Sequence, residues 1–120
     1  MNIDVGLPDD EDVDLAVEIF AMLADATRVR IILALGAGES SVNELSTVVG
    51  KSPAAVSQHL AKLRLARIVA PRHEGTRVYY RLLNEHAQQL VSDAIHQAEH
   101  SLGGVPRHHA DEQDAGRSHE

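Results

Sequence analysis

One short stretch carries polar side chains whose types and spacing suit nucleic-acid binding. In residues 51–64, Val56, Leu60 and Leu63 recur at helical spacing and predict an inward face. The opposite face carries side chains that can donate hydrogen bonds to base edges or phosphates, namely Ser57, Gln58, His59 and Lys62. A solvated amphipathic helix would show the same pattern, so the surrounding sequence has to decide between the two interpretations.

A second set of candidate residues lies along the last predicted helix and could bind a metal ion. His86, Asp93, Gln97 and His100 fall close to one line on that helix. His86 and His100 are separated by about 21 Å along a helix, so they cannot share an ion within one chain. If two such helices pack antiparallel, His86 of one chain can approach His100 of the other, and a metal would bridge the subunits.

The same histidines allow other arrangements. Asp93, His96 and His100 could instead form a local site on one helix. In the site shared between subunits, His108 and His109 could fold down from the tail to complete the shell. Surface histidines can also be inert. Imidazole and carboxylate ligands without thiolate suit Ni(II), Co(II) or Zn(II) better than Cd(II), Cu(I) or arsenite. Five or six such ligands would favour nickel or cobalt, whereas a closed set of four would favour zinc.

Length and composition limit the classes of protein that this chain can be. Its 120 residues suit one domain with a modest core. Because it contains no cysteine, disulfides, thiolate metal sites and cysteine catalysis are excluded. No nucleophile and base pairing, phosphate loop or HExxH motif is present, so neither an enzyme nor a small organic substrate is predicted. With no apolar run long enough to span a bilayer and no signal-peptide pattern, we expect a cytoplasmic protein without a membrane partner.

The charge of the chain is strongly uneven. The formal net charge is −7, but residues 51–81 carry seven basic side chains against one acidic side chain, Glu74. That segment is therefore +6 and the remainder is −13. The basic residues are Lys51, Lys62, Arg64, Arg67, Arg72, Arg77 and Arg81. A local basic surface is what phosphate contact requires, and an acidic total can mask it.

Capping residues predict two helices before the basic segment. Asp12 is placed to cap a helix over 13–23, and Asp25 to cap a second helix over 26–35. The predicted inward residues are Leu15, Ile19, Met22 and Leu23 in the first helix, and Val29, Ile32, Leu33 and Leu35 in the second.

The next two helices predict a helix-turn-helix. Ser41 and Glu44 form a capping box for a third helix over 42–48, which Gly50 ends. Ser52 then caps the polar helix described above, whose first position is a proline. Two short helices joined by a tight glycine-containing turn, the second bearing polar donors, are typical of this motif.

From residue 68 the pattern changes from helix to strand. Residues 68–73 and 76–82 are rich in β-branched and aromatic side chains, and Glu74-Gly75 lies between them as a turn. Arg72, His73 and Arg77 lie near the tip of this predicted hairpin. A basic hairpin directly after a helix-turn-helix is typical of a wing that contacts DNA, although a hairpin can also simply cover the core.

The last predicted helix starts near Asn84 and runs to about Ser101. Its apolar residues fall on one arc: Leu83, Ala87, Leu90, Val91, Ala94, Ile95, Ala98 and Leu102. This is more apolar surface than the final helix of so small a domain needs, which predicts that it packs against its copy in a dimer.

The predicted fold class is therefore mainly α with a β-hairpin wing. We expect a winged helix-turn-helix that forms a homodimer through its first and last helices. The predicted segments are a flexible acidic arm over 1–11, a DNA-binding and dimerisation domain over 12–102, and a mobile histidine-containing tail over 103–120.

Four segments closely resemble the ArsR/SmtB family of winged-helix repressors. They read AMLADATR at 21–28, VNEL at 42–45, VSQHLAKL at 56–63 and GTRVYYRL at 75–82. The likeness covers about residues 13–102. It implies a dimer that binds operator DNA when metal-free and releases it when an inducer binds.

The resemblance also implies a set of metal ligands. Many zinc and cobalt sensors of the family place Asp-x-His at the start of the last helix and His-x-x-His near its end. The matching positions here are Asn84, His86, Gln97 and His100, and two of the four differ from the usual ligands. Residues 84–86, 98–100 and 106–109 look more like the actinobacterial nickel and cobalt sensors of the family. That likeness implies His86, Glu99, His100, His108 and His109 as ligands, nickel or cobalt as the metal, and a cation exporter as the regulated gene product.

The function predicted from these observations is metal-responsive repression. Ser57, Gln58 and His59 would read bases of double-stranded operator DNA. The other predicted DNA-binding residues are Lys51, Ser52, Lys62, Arg64, Arg72 and Arg77. Ni(II) or Co(II) would release the dimer and derepress a metal-efflux gene. The alternative is a winged-helix repressor that senses Zn(II) or a non-metal signal, with the tail histidines incidental.

Overall fold

The computed structural model describes residues 6–102 and contains the predicted elements in the predicted order. They are α1 (Asp10–Leu23), α2 (Ala26–Gly36), β1 (Ser40–Ser41), α3 (Val42–Val49), α4 (Pro53–Leu65), β2 (Val69–Glu74), β3 (Arg77–Leu82) and α5 (His86–Ser101). The prediction of a mainly α fold with a β-hairpin is confirmed. The chain divides into two compact units, one ending at Glu85 and one beginning at His86 with α5. Within residues 6–102, no helix combines the length and apolarity required to cross a membrane.

Three helix starts follow the predicted capping residues. Asp25, Ser41 and Ser52 each accept a hydrogen bond from a backbone N–H in the first turn of α2, α3 and α4. Glu44 closes the capping box by accepting from the backbone N–H of Ser41 at 2.8 Å. Because these bonds satisfy amides that have no partner inside the helix, local sequence is sufficient to place the three helix starts.

The first and last helices begin at different residues from those predicted. α1 begins at Asp10, ahead of the predicted cap Asp12, and its N-cap residue Asp9 makes no side-chain cap hydrogen bond. The acidic first turn of α1 suits the positive end of the helix dipole, which favours the longer helix. α5 begins at His86, two residues after the predicted start at Asn84.

The core of the first unit lies between α2, α3, α4 and the hairpin. Its buried residues include Ile31, Ile32, Leu35, Leu45, Val49, Val56, Leu60, Leu63, Ile68 and Val69. The predicted inner face of α4 is confirmed. On α2, Leu33 was expected inside but is 39% exposed, and Ile31 is fully buried instead. At 100° per residue, Ile31, Ile32 and Leu35 share an arc that excludes Leu33.

Helix α1 contains no buried residue in the single chain. Ile19, Met22 and Leu23 are half-buried as predicted, but Leu15, expected inside, is 53% exposed. The other exposed large apolar residues of α1 are Val13, Val17 and Phe20. On α5, Ala87 and Val91 are buried, whereas Leu90 and Ile95 of the predicted arc are exposed. Exposed apolar residues clustered on one element mark an interaction surface rather than a core face.

The sheet has three antiparallel strands in the order β1-β3-β2. Strands β2 and β3 pair from Val69–Leu82 to Glu74–Arg77, so the turn is Gly75-Thr76, one residue later than predicted. Gly75 has a φ of +63°, which suits glycine in a two-residue hairpin turn. The pairing of β1 with β3 was not predicted, because two residues are too few to produce an alternating pattern.

Candidate functional site

Helices α3 and α4 form a helix-turn-helix. Gly50 ends α3 in the left-handed conformation, with a φ of +71°, and Ser52 caps α4 two residues later. The apolar residues Leu45 and Val49 of α3 and Leu60 of α4 are buried. This tight turn therefore fixes α4 on the core through one face and leaves its other face in solvent.

Most of the predicted DNA-binding side chains are exposed. The exposed members are Lys51, Ser52, Ser57, Gln58, Lys62, Arg64, Arg72 and Arg77. Exposure is a requirement for contact with bases or phosphates. The individual contacts of these residues stay predictions.

His59 differs from its neighbours on α4 because it has partners inside the domain. Its side chain is 22% exposed. Its Nδ1 accepts a hydrogen bond from Arg28 Nε at 3.2 Å and lies 4.0 Å from Asp25 Oδ1. Sequence reasoning identified Asp25 only as a helix cap and gave Arg28 no role. No local pattern could join these residues to His59, since Arg28 lies 31 positions from it.

The electrostatic surroundings of Asp25 favour its charged form. The backbone N–H of Arg28 donates to its carboxylate at 3.0 Å, and this hydrogen bond is the largest cause that lowers the pKa of Asp25. The charge of Arg28, and that of His59 when its imidazole is protonated, lower the pKa of Asp25 further, and burial opposes them. The carboxylate therefore links the start of α2 to the surroundings of His59.

We expect Asp25→Ala to destabilise the protein by about 1 kcal/mol at pH 7, because α2 loses its N-cap. The pKa of Asp25 is lowered by folding from an unfolded value near 3.9. Its charge therefore contributes stability above about pH 4, and this contribution is lost as the pH falls through the folded pKa. The difference between wild type and variant should shrink below pH 4. Urea unfolding at fixed protein concentration, followed by circular dichroism, measures it.

Asp14→Ala is the matched control for this experiment. Asp14 is exposed in the middle of α1 and caps no helix, so its removal should change the unfolding free energy by less than about 0.5 kcal/mol. Equal stability of the two variants at pH 7 would contradict the role of Asp25.

The basic hairpin, β2 and β3, carries its own counter-charges. Arg72 Nε donates to Glu39 Oε1 at 2.8 Å, and Arg72 Nη1 donates to Glu74 Oε1 at 2.9 Å. The guanidinium also lies 5.1 Å from the centre of the Tyr79 ring. The hydrogen bonds to Glu74 and Glu39 raise the pKa of Arg72. Since exposed ion pairs of this kind contribute little to stability, a phosphate could compete for Arg72.

Arg77 begins the second strand of the hairpin. Its Nη1 lies 3.5 Å from the hydroxyl of Tyr79, and this hydrogen bond raises the pKa of Arg77. Glu39 lies outside residues 51–81, for which a net charge of +6 was counted from the sequence. The surface around the hairpin is therefore less basic than that charge indicated. No local sequence pattern indicates the pairing of Glu39 with Arg72, because the two residues are 33 positions apart.

The predicted metal ligands lie at opposite ends of α5. His86 is the first residue of the helix and His100 is in its last turn, and both are exposed, whereas Glu99 is half-buried. The separation of His86 and His100 is again about 21 Å, so one chain does not bring them together. His108 and His109 lie outside the described residues.

The single-helix alternative for the metal site is not supported. Among residues 6–102, no group of three or more histidine, aspartate or glutamate side chains is placed to hold a metal ion. Asp93 instead accepts a hydrogen bond from Gln89 Nε2 at 3.0 Å. Asp93, His96 and His100 are therefore not assembled as a three-ligand site within one chain.

A helix-turn-helix with an exposed polar second helix, followed by a basic hairpin, defines a winged-helix DNA-binding protein. The chain belongs to the arsR family of bacterial regulatory proteins, whose model matches residues 25–70. It is thus a transcriptional regulator and not an enzyme, as predicted.

Two curated relatives and one solved structure show the similarity. The chain is 59% identical over 103 residues to the HTH-type transcriptional regulator KmtR of Mycobacterium tuberculosis, covering 86% of this chain and 78% of that one. It is 40% identical over 84 residues to a CadC homologue, a cadmium resistance regulatory protein of Staphylococcus aureus, covering 68% and 69%. The solution structure of a homodimeric winged helix-turn-helix domain from Mycobacterium bovis matches with a TM-score of 0.67 and 28% identity, covering 81% and 92%. The predicted resemblance to the ArsR/SmtB repressors is confirmed.

Proposed function

We propose that this chain is a dimeric, metal-responsive repressor. It binds a palindromic operator when metal-free and is released by Ni(II) or Co(II), which derepresses a metal-efflux gene in the cytoplasm. The observation that carries the DNA-binding part is the orientation of α4. Its apolar residues Val56, Leu60 and Leu63 are buried, while Ser57 and Gln58 are exposed beside them.

The exposed apolar surface supports the dimer, and a palindromic operator would require it. One α4 reads one half-site, and two copies related by a two-fold axis would enter successive major grooves about 34 Å apart. Helix α1 leaves Val13, Val17 and Phe20 exposed in the single chain, and α5 leaves Leu90 and Ile95 exposed. Packing of these helices against their copies would bury both sets. The Mycobacterium bovis relative is a homodimer, which supports a dimer for this chain.

The metal response is proposed from the donor chemistry of the last helix and tail. The proposed ligands are His86, Glu99, His100, His108 and His109. A site built from both subunits would bring together His86 and His100, which one chain keeps apart. A relative that regulates cadmium resistance supports a metal signal, but this chain has no cysteine thiolate to favour cadmium. Nickel and cobalt fit imidazole and carboxylate better. The likeness of residues 84–86, 98–100 and 106–109 to the nickel and cobalt sensors of the family supports these two metals.

Metal binding and operator binding should weaken each other by the same free energy. If metal weakens operator binding by about 1–3 kcal/mol, then operator DNA weakens metal binding by the same free energy. The ligand histidines must be neutral to bind metal, so the metal response should fade as the pH falls.

Fluorescence anisotropy on the DNA upstream of the chain's own gene tests this function. Metal-free protein should prefer this DNA to random duplex, and saturating Ni(II) or Co(II) should weaken binding by about 5–150-fold. Salt must be held constant, because phosphate contacts make affinity depend on ionic strength. A chelator should restore binding. Specific binding that none of Ni(II), Co(II) and Zn(II) changes would favour the alternative, a repressor of non-metal signals.

Gln58→Ala supplies the DNA control for the same assay. We expect it to lose about 1–3 kcal/mol on the operator and little on random duplex, because a base-reading side chain contributes only to the specific complex. Gln89→Ala on α5 should keep operator affinity, since Gln89 contacts Asp93 of its own helix. Equal losses on both duplexes for Gln58→Ala would contradict its assignment as a base reader.

A further inference from the structure

One arginine side chain joins three helices of the first unit. Arg28, in the first turn of α2, donates from Nη1 to the carbonyl oxygen of Met22 at the end of α1, at 3.0 Å. The same nitrogen lies 3.2 Å from the sulfur of Met22. From Nε, Arg28 donates to Nδ1 of His59 on α4 at 3.2 Å. Arg28, Met22 and His59 are all half-buried, so the guanidinium lies between the helices rather than in solvent.

The contact to His59 determines which nitrogen of the imidazole carries the proton. An arginine guanidinium can only donate hydrogen bonds, so Nδ1 of His59 must be the acceptor. A neutral imidazole whose Nδ1 accepts carries its proton on Nε2. The same hydrogen bond opposes rotation of the ring. Arg28 therefore fixes both the tautomer and the orientation of His59.

His59 lies on α4, next to the exposed side chains of Ser57 and Gln58. With Nδ1 bound inside the domain, the group left for an outside partner is the Nε2–H donor. Acceptors on DNA that such a donor can meet are N7 and O6 of guanine and the phosphate oxygens.

We propose that Arg28 is a positioning residue for operator recognition. It holds His59 so that the Nε2–H group is presented to an acceptor on the operator, and through Met22 it ties this arrangement to the end of α1. The proposal rests on the proposed function of α4 as the DNA-reading helix. Arg28 itself need not touch DNA.

A double-mutant cycle on operator binding tests the proposal. Arg28→Met keeps side-chain length and removes every donor, and we expect it to weaken operator binding about tenfold. His59→Gln supplies an amide donor near the position of Nε2 without needing the Nδ1 contact. In that background, Arg28→Met should change affinity less than about twofold. Equal losses in both backgrounds would overturn the proposal and make Arg28 a structural tie to Met22.

Nitrogen NMR of the intact wild-type chain gives a second, independent readout. At pH 8.5, where an ordinary imidazole is neutral, His59 Nδ1 should be unprotonated and coupled through the hydrogen bond to Arg28 Nε. The spectrum of His59→Gln assigns the signals by difference. A protonated Nδ1 would overturn the proposal even if Arg28→Met failed to fold.

A failure of the proposed function can be distinguished from a failure of the proposed role of Arg28. Wild-type protein without preference for its upstream DNA would overturn the proposed function, and the role of His59 as a reader with it. Operator preference together with a protonated Nδ1 or equal losses in the cycle would leave the proposed function standing and overturn only the role of Arg28.

Discussion

Replacing His100 with alanine should leave operator binding intact and abolish its response to nickel and cobalt. His100 is exposed in the last turn of α5, away from the helix-turn-helix in sequence, and its imidazole is a proposed ligand. Without this imidazole, the metal no longer binds the released form of the dimer more tightly than the DNA-binding form. The ratio of operator affinities without and with metal should fall from about 5–150 to about 1. Anisotropy titrations at fixed salt measure both affinities.

His96→Ala is the matched control, because His96 is an equally exposed imidazole on the same helix that is not a proposed ligand. It should respond to metal like wild type. If His100→Ala lost operator binding altogether, His100 would be structural. If His96→Ala also lost the response, ligands on a single helix would be favoured over a site shared between subunits.

Phe20→Glu should convert the protein to a monomer and lower operator affinity by at least about 100-fold. Phe20 is 58% exposed on α1, so a charge there costs little within one chain. In the proposed dimer the same residue lies in the interface, where an unpaired charge is strongly unfavourable. A monomer reaches only one half-site and loses the gain of about 10²–10⁴ that linked binding provides.

Light scattering during gel filtration measures the predicted change. The wild type should have twice the mass of the 13.0 kDa chain, and Phe20→Glu should have the mass of one chain. Val48→Glu is the matched control for oligomeric state, because Val48 is 68% exposed but lies on α3. It should remain a dimer. A dimeric Phe20→Glu protein would exclude this part of α1 from the interface.

The outcome for α1 shows how a hydrophobic pattern can mislead. Leu15 was predicted to be inside because it follows the helical period, yet it is exposed in the single chain. A period shows that a face is apolar but does not show whether that face contacts its own domain or another chain. The same ambiguity applies to α5. Ala87 and Val91 are buried, whereas Leu90 and Ile95 are exposed, although all four residues lie on the predicted apolar arc.

The motifs of the chain were enough to recognise the family. Local sequence patterns were enough to predict the helix starts at Asp25, Ser41 and Ser52, the inner face of α4 and the hairpin. These features depend on hydrogen bonds between neighbouring residues or on a strict repeat along one element, so they can be recognised locally. Three contacts could be recognised only in the folded chain: Arg28 donates to His59, Glu39 pairs with Arg72, and β1 joins the sheet through β3. Each of these contacts joins residues about 30 or more positions apart in the chain, and it exists only after the elements between them have packed.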